Sequence, residues 1–412
     1  MKFNPGILRA YDIRGEYNKD FDDEFAERLG GALVTYFDAK KLILARDMRP
    51  SALPLREAII RGITGAGCDV VDIGESSTPF FYYAVISGSA PAGIMITASH
   101  MGEAFNGFKI CKKDAMVLGK ESGLLELAEI IRGEPIFAET IGNIAPINVL
   151  NDHAEHIIKY SGLFKGEVDL KVAVEAAPMI RKELGVIFDK LGIMSVNVGY
   201  DVKFAFDPDG DRLMIYNSQN KQIRADLFEG LLAQNMKEVI ADLRASRGVT
   251  DYLIARGTKL IPSKIGHTNI KRVMKENDVE FAGEASGHLM FRELNYSEST
   301  QLGILKILKL LSEEKKTIDE LVAPLDVWAY SGEINAPIAG WPDSVAPIVA
   351  KLKAQYADGA LNEIDGLRVD YPDWWFLVRA SGTEPVIRLI VEARTKDTMD
   401  EKIKEVQALI AS

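Results

Sequence analysis

Strand and helix patterns alternate along most of the chain, and that rhythm restricts the fold more than any other feature of the sequence. An apolar run at 42–45 is followed by the charged turn Arg46-Asp47-Met48-Arg49-Pro50, a helical pattern over 51–67 and a second apolar run at 69–73. A helix near 80–86 and a strand at 93–96 continue the series, which is the order of βαβ units in a largely parallel sheet. A second series starts with a strand at 170–174, a helix over 179–191 and a strand at 194–198. A third places a helix over 227–243, a strand at 252–255 and a helix over 269–277. The C-terminal part changes character. Strands at 374–378 and 386–391 are separated by a tight loop, and a helix begins at the capping-box pattern Thr398 to Glu401. The expected fold class is α/β, with three similar α/β domains built on mixed or parallel sheets and a C-terminal α+β domain. The expected limits are 1–146, 147–221, 222–332 and 333–412, with a linker over 327–340 before Pro342-Asp343 opens a helix.

With 412 residues the chain exceeds one compact core, and its 47% hydrophobic and 26% charged content is that of a globular protein. A net charge of −11 argues against nucleic acid or an anionic membrane as the main partner. An anionic substrate must then be met by local basic groups. The N-terminus lacks the apolar core of a signal peptide, and no run of about 18 apolar residues offers a membrane span. The expected location is the cytoplasm. Cys68 and Cys111 read as buried free thiols.

Four segments carry chemistry. In Asp207-Pro208-Asp209-Gly210-Asp211-Arg212, three carboxylates at alternate positions of a turn between two strands converge on one point. At about 4 Å such charges repel by roughly 4 kcal/mol per pair at a near-surface dielectric. A hard cation removes that cost. The spacing excludes an EF-hand, because the twelfth position is Ser218 rather than an acid. A haloacid-dehalogenase-type loop, with Thr or Val where Asp211 stands, is a weak alternative. Thr97-Ala98-Ser99-His100 follows the strand at 93–96, at the carboxyl end where α/β sheets bind ligands, with Lys109 nearby. Arg379 to Pro385, with Arg388 on the next strand, concentrates hydroxyls, backbone N–H groups and guanidinium forks in one hairpin, as a phosphate cradle does. Gly283-Glu284-Ala285-Ser286-Gly287-His288 offers hydrogen-bonding groups suited to vicinal hydroxyls. His267 lies in Gly266-His267-Thr268, and His153 and His156 read as one face of an ordinary helix.

Taken in this order, together with Arg9 to Gly15, these motifs resemble the α-D-phosphohexomutases, in particular the phosphomannomutase/phosphoglucomutase branch. The resemblance spans nearly the whole chain. It implies three α/β domains and a smaller fourth around a central cleft, and reversible transfer of phosphate between C1 and C6 of mannose or glucose phosphate. Ser99 would be the phosphoserine, and a hexose 1,6-bisphosphate would be intermediate and activator. Asp207, Asp209 and Asp211 would hold Mg²⁺ with a phosphoserine oxygen of Ser99. Arg14, His100, Lys109 and Arg212 would surround the reacting phosphate. Lys109 is the first choice for general acid/base work, on the expectation that neighbouring positive charge lowers its pKa, and His267 and His288 are the rivals. Glu284 and Ser286 would grip sugar hydroxyls. Arg379, Ser381, Gly382 and Thr383, with Arg388, would hold the phosphate that is not reacting.

Two departures stand out. Where the family has Asn-Pro after Ser-His, this chain has Met101-Gly102. Between Gly192 and Phe204 only about a dozen residues stand where relatives carry a further helix and strand, too few for a helical crossover. The second domain therefore reads as trimmed, leaving a sheet edge that a second subunit could cover. Phosphoglucosamine mutase activity and a sugar-phosphate-binding protein without catalysis are the alternative readings.

Overall fold

A computed structural model describes residues 1–381 and 385–411, the side chain of Glu121 excepted. The chain divides into two compact units, Met1–Gln222 with Gly287–Lys315, and Ile223–Ser286 with Lys316–Ser412.

The first unit begins with a six-stranded sheet. Its elements in chain order are β1 (Ile13–Glu16), α1 (Asp23–Phe37), β2 (Lys41–Arg46), α2 (Ala52–Gly65), β3 (Asp69–Glu75), α3 (Thr78–Ser87), β4 (Ala92–Ile96), β5 (Phe105–Lys112), α4 (Leu124–Arg132) and β6 (Ile144–Pro146). The spatial order is β1-β5-β4-β2-β3-β6. Strands β4, β2, β3 and β6 run parallel, whereas β5 is antiparallel to β4 and β1 to β5. Every residue of β4 is buried, as its uninterrupted apolar sequence demands of a central strand covered on both faces. The Asp22 carboxylate caps α1 by accepting from the amide of Phe25, and Asp23 and Glu24 complement the helix dipole in the first turn. Helices α1 and α2 approach closely because Gly62 has no side chain. A Cβ there would lie 1.8 Å from the carbonyl oxygen of Glu27.

A second, smaller sheet follows α5 (Leu150–Ser161) and contains β7 (Lys171–Glu175), β8 (Met194–Ser195), β9 (Val202–Phe206) and β10 (Leu213–Asn217), with α6 (Pro178–Leu191) joining β7 to β8. Strands β8 and β9 flank β7 on opposite sides, both parallel to it, and β10 is antiparallel to β9. The strand expected over 194–198 is only two residues long. Residues 196–201 then return around the start of β7, with Val196 N–H donating to Val172 O at 2.9 Å and Asp201 N–H to Lys171 O at 2.8 Å. Residues 196–201 join so short a strand to β9 without a helix.

In the second unit the strand Glu238–Asp242 pairs in parallel with Lys259–Ser263 on one side and with Phe281–Glu284 on the other. Two expectations fail here. The helix expected over 227–243 is Ala225–Ala233 only, and a turn divides it from the strand Glu238–Asp242. The strand expected at 252–255 is the end of the helix Arg247–Ala255, whose Val249 and Leu253, four residues apart, are buried while Ile254 is exposed. The C-terminal part is the expected hairpin, Trp374–Ala380 with Val386–Ala393, packed under the helix Lys396–Ala411 through Met399, Val406 and Ile410. That helix is capped one turn earlier than expected, since the hydroxyl of Thr395 accepts from the amide of Thr398 at 3.2 Å. The expected linker contributes two short strands, Ala329–Tyr330 and Ile334–Pro337, which both pair with Val386–Ala393. The next helix is Val345–Gln355. Among the described residues no helix is long and apolar enough to cross a membrane.

Candidate active site

In the first unit the chain leaves β4 at Ile96 and turns at once through Thr97-Ala98-Ser99, while Asp207 follows the last residue of β9. Ser99 Oγ lies 3.3 Å from Asp207 Oδ2 and 3.4 Å from His100 Nδ1. The serine is 3% exposed, and its φ of 51° is left-handed, an unusual state for a residue other than glycine. Asp207, Asp209 and Asp211 each offer an oxygen within 4.8 Å of the others, and all three are buried. No other such cluster of His, Cys, Asp and Glu is present among the described residues.

The acidic loop is held from several sides. Thr78, at the start of α3, donates its amide to Asp209 O and its hydroxyl to Asp209 Oδ2, both at 2.8 Å. The hydroxyl of Thr300 donates to Gly210 O at 2.8 Å. Gly210 has a φ of 75°, and a Cβ there would lie 2.8 Å from Ile180 Cδ1 on α6. Behind the loop a buried carboxylate, Glu183 on α6, accepts from the amide and hydroxyl of Ser77 at 2.8 and 2.6 Å and from Gln301 Nε2 at 2.9 Å.

Lys109 on β5 donates to Asp209 Oδ2 at 2.7 Å and also to Asp211 Oδ2. Burial opposes its charge, but the two carboxylates outweigh burial and raise its pKa above the ordinary lysine range. This is opposite to the direction expected from the sequence, because the neighbours that decide it are anions rather than cations. Burial, then repulsion by Asp211 and Asp209, raises Asp207 well above the carboxylate range. Asp211 goes the other way. Although burial disfavours its charge, Lys109 and His288 hold its pKa well below the ordinary value, with His288 Nε2 at 3.4 Å from Asp211 Oδ1. His100 is lowered by burial, then by Arg212 and Arg14. Arg212 donates its amide to Asp207 Oδ1 at 3.2 Å, and Arg14, on β1, pairs with Asp12. The residues suit a hard divalent ion. The donor set is all oxygen, and Asp209 Oδ1 is buried without a hydrogen-bond partner.

The second unit carries the remaining expected groups. Glu284 closes the strand Phe281–Glu284 and accepts from Arg244 Nη2 at 2.9 Å and from the Ser286 hydroxyl at 2.9 Å. Arg244 also bonds Asp242 at the end of a parallel strand, a ligand-binding position that the sequence reading passed over. His267 opens the helix His267–Asn277 after Gly266. Asp365 accepts from the amide of Ile265 at 2.9 Å and from Arg379 Nε at 3.1 Å. Arg379 and Arg388 stand directly opposite each other across the C-terminal hairpin, and Arg388 Nη1 is 3.4 Å from Glu333. Facing cations would repel without their carboxylate partners, and an anion at the hairpin would also relieve them. Ser381 is buried beside Arg379. Gly382 and Thr383 lie outside the described residues.

A serine hydroxyl against a buried carboxylate triad, in a chain that also carries an arginine-lined hairpin, is the equipment of a phosphoryl-transfer enzyme. Family models match the chain as phosphoglucomutase/phosphomannomutase α/β/α domain I over residues 6–134, domain III over 209–327 and the C-terminal domain over 333–409. A phosphomannomutase of Methanocaldococcus jannaschii is 31% identical, the match covering 98% of this chain and 97% of that one. The crystal structure of a Burkholderia thailandensis phosphoglucomutase/phosphomannomutase family protein is 26% identical with a TM-score of 0.85, covering 99% and 97%. Aspergillus fumigatus N-acetylphosphoglucosamine mutase in complex with glucose 1,6-bisphosphate, 13% identical with a TM-score of 0.63 over 100% and 96%, shares the fold. The chain belongs to the phosphoglucomutase/phosphomannomutase family and is a phosphohexomutase.

Proposed function

We propose that this enzyme interconverts the 1- and 6-phosphates of mannose or glucose through a phosphoserine at Ser99. The observation that carries this reading is Ser99 Oγ at 3.3 Å from Asp207 in a buried cluster of three carboxylates. A phosphate on Ser99 would add a charge of about −1.5 to −2 there. The residues that would hold Mg²⁺ are Asp207, Asp209 and Asp211, with an oxygen of phosphoserine 99. When bound, the ion would offset the charge of the phosphoryl group and of the carboxylates.

In the first half-reaction the Oγ–P bond of phosphoserine 99 breaks as a sugar hydroxyl oxygen forms a new P–O bond. The hydroxyl's proton passes to a base and Ser99 Oγ takes up a proton, giving a hexose 1,6-bisphosphate. In the second half-reaction the other phosphate returns to Ser99 by the same exchange in reverse. Lys109, whose pKa its carboxylates raise, is a poor proton donor and would serve instead as a fixed positive charge beside the reacting phosphate. His100, held neutral by burial and two arginines, suits the acceptor. Arg14 and Arg212 would hold the reacting phosphate. Glu284 and Ser286, oriented by Arg244 and assisted by His267 and His288, would bind hydroxyls common to both orientations of the intermediate. Arg379, Ser381, Gly382 and Thr383, with Arg388, would bind the second phosphate. A serine-to-alanine variant of the fungal mutase, in complex with glucose 1,6-bisphosphate, supports a bisphosphate as a species that a protein of this fold binds.

The test is Ser99→Ala, which removes the acceptor oxygen and little else. Interconversion of mannose 1- and 6-phosphate falls by at least about 10⁴-fold with the unfolding transition unchanged. Substantial turnover by the variant would overturn the phosphoserine reading. Relative kcat/KM on mannose, glucose and glucosamine 6-phosphates assigns the sugar.

A further inference from the structure

We infer that Arg49, with Asp47, is the positioning residue that fixes the backbone of Ser99 for phosphoryl transfer. The inference rests on the phosphoserine reading and deepens it.

The guanidinium of Arg49 is buried, and each of its five N–H groups has an acceptor. Nε donates to Asp47 Oδ2 at 3.0 Å. Nη1 donates to the carbonyls of Gly102 at 2.9 Å and Phe105 at 3.2 Å. Nη2 donates to the carbonyls of Ser99 at 2.5 Å and Met101 at 2.8 Å. Four of the five acceptors are backbone oxygens of one seven-residue segment, 99–105. A planar fork with five fixed donors can do this, and an ammonium with three cannot.

The amide of Ser99 is held as well. Asp47 accepts from the amide of Arg49 at 3.0 Å, and Thr97 Oγ1 accepts from the amide of Ser99 at 2.9 Å. Both backbone polar groups of Ser99 are therefore fixed, the carbonyl by Arg49 and the amide by Thr97. Ser99 needs such ties, because its φ of 51° is a conformation that a non-glycine residue keeps only when its surroundings impose it. The two residues after His100 are Met101 and Gly102, neither of which restricts the chain as a proline would. In this chain the loop's rigidity comes from across the sheet. With four contacts on carbonyls and Nε on Asp47, Arg49 has no donor left for a phosphate, so its effect passes through the backbone of Ser99.

The experiment compares wild type with Arg49→Lys, Arg49→Ala and Thr97→Val. Readouts are steady-state kinetics on mannose 1-phosphate, intact mass for phosphate on Ser99, and hydrogen exchange of peptides covering 97–106 and the remainder of the first sheet. Arg49→Lys is expected to lower kcat about 100-fold, the cost of a nucleophile displaced by about an ångström, with KM within about threefold of wild type. Faster exchange is confined to 97–106. Millimolar guanidinium restores part of the kcat of Arg49→Ala. Thr97→Val, which cuts only the amide tie, loses about tenfold. Wild-type kcat in Arg49→Lys overturns the inference, as does faster exchange spread evenly over the whole sheet. If Arg49→Ala does not fold, Thr97→Val decides, and wild-type kcat in that variant is equally fatal. Absence of phosphate on wild-type Ser99 would instead sink the parent reading, while the exchange data would still report whether Arg49 holds the loop.

Discussion

Glu183 makes the stability of the first unit depend on pH in a direction opposite to that of most carboxylates. It is 3% exposed at the junction of α6, the N-terminus of α3 and the helix Thr300–Glu314. Burial raises its pKa from the ordinary 4.5 to about 7, against the lowering effect of its bonds to Ser77 and Gln301. The folded chain therefore holds this proton more tightly than the unfolded chain does. Stability falls as pH rises from about 4.5 through about 7 and levels off above. At about 1.36 kcal/mol for each tenfold change in proton affinity, the loss amounts to about 3 kcal/mol. Glu183→Gln carries no charge at any pH and removes this slope. Its stability relative to wild type should thus improve by about 3 kcal/mol between pH 4 and pH 8, whatever the offset from rearranged hydrogen bonds. All four tryptophans, Trp328, Trp341, Trp374 and Trp375, belong to the second unit, so their fluorescence does not report on Glu183. Hydrogen exchange of α6 amides, corrected for intrinsic rates and converted to opening free energies, is the suitable assay. Parallel pH curves for the two proteins would refute the reasoning.

Two further outcomes follow from the geometry. Removal of divalent ions by a chelator should abolish turnover, and Asp209→Asn should raise the Mg²⁺ concentration for half-maximal activity by at least about tenfold; kinetics titrated with Mg²⁺ check both. Gly62→Ala should destabilise the first unit by about 1–3 kcal/mol in urea unfolding followed by far-UV circular dichroism, because the new methyl group would meet the Glu27 carbonyl. Helix propensity alone predicts the opposite sign, with alanine better by up to about 1 kcal/mol.

The sequence carried most of the α/β rhythm because β4 and its neighbours are buried on both faces and read as continuous apolar runs. It misled where two elements share one apolar stretch, as in Ala225–Ala233 and Glu238–Asp242. It also misled where β-branched and aromatic residues occupy a short helix, as at Thr250, Tyr252 and Ile254. The acidic triad was legible because its residues are adjacent and its charge pattern is costly without a purpose. Arg49 was not, since its partners are mostly carbonyl oxygens, which every residue type presents equally. Glu183 was hidden for another reason. Beside Arg181 and Lys182 it reads as the polar face of an amphipathic helix, and only Ser77 and Gln301, each more than a hundred residues away, turn that face inward. For Lys109 the position was readable, but the sign of its pKa change depends on which charges the fold brings nearest.

The two-residue strand β8 bears on solubility. Met194 and Val198 are 59% and 81% exposed at that border of the second sheet, where a longer strand would present a row of open amides and carbonyls beside apolar side chains. A stub of two residues gives an incoming chain almost nothing to zip onto. A strand this short thus offers little template for extension by an unfolded neighbour. Lengthening β8 by design, with the same apolar residues left outside, would give an incoming chain the template that the short strand withholds.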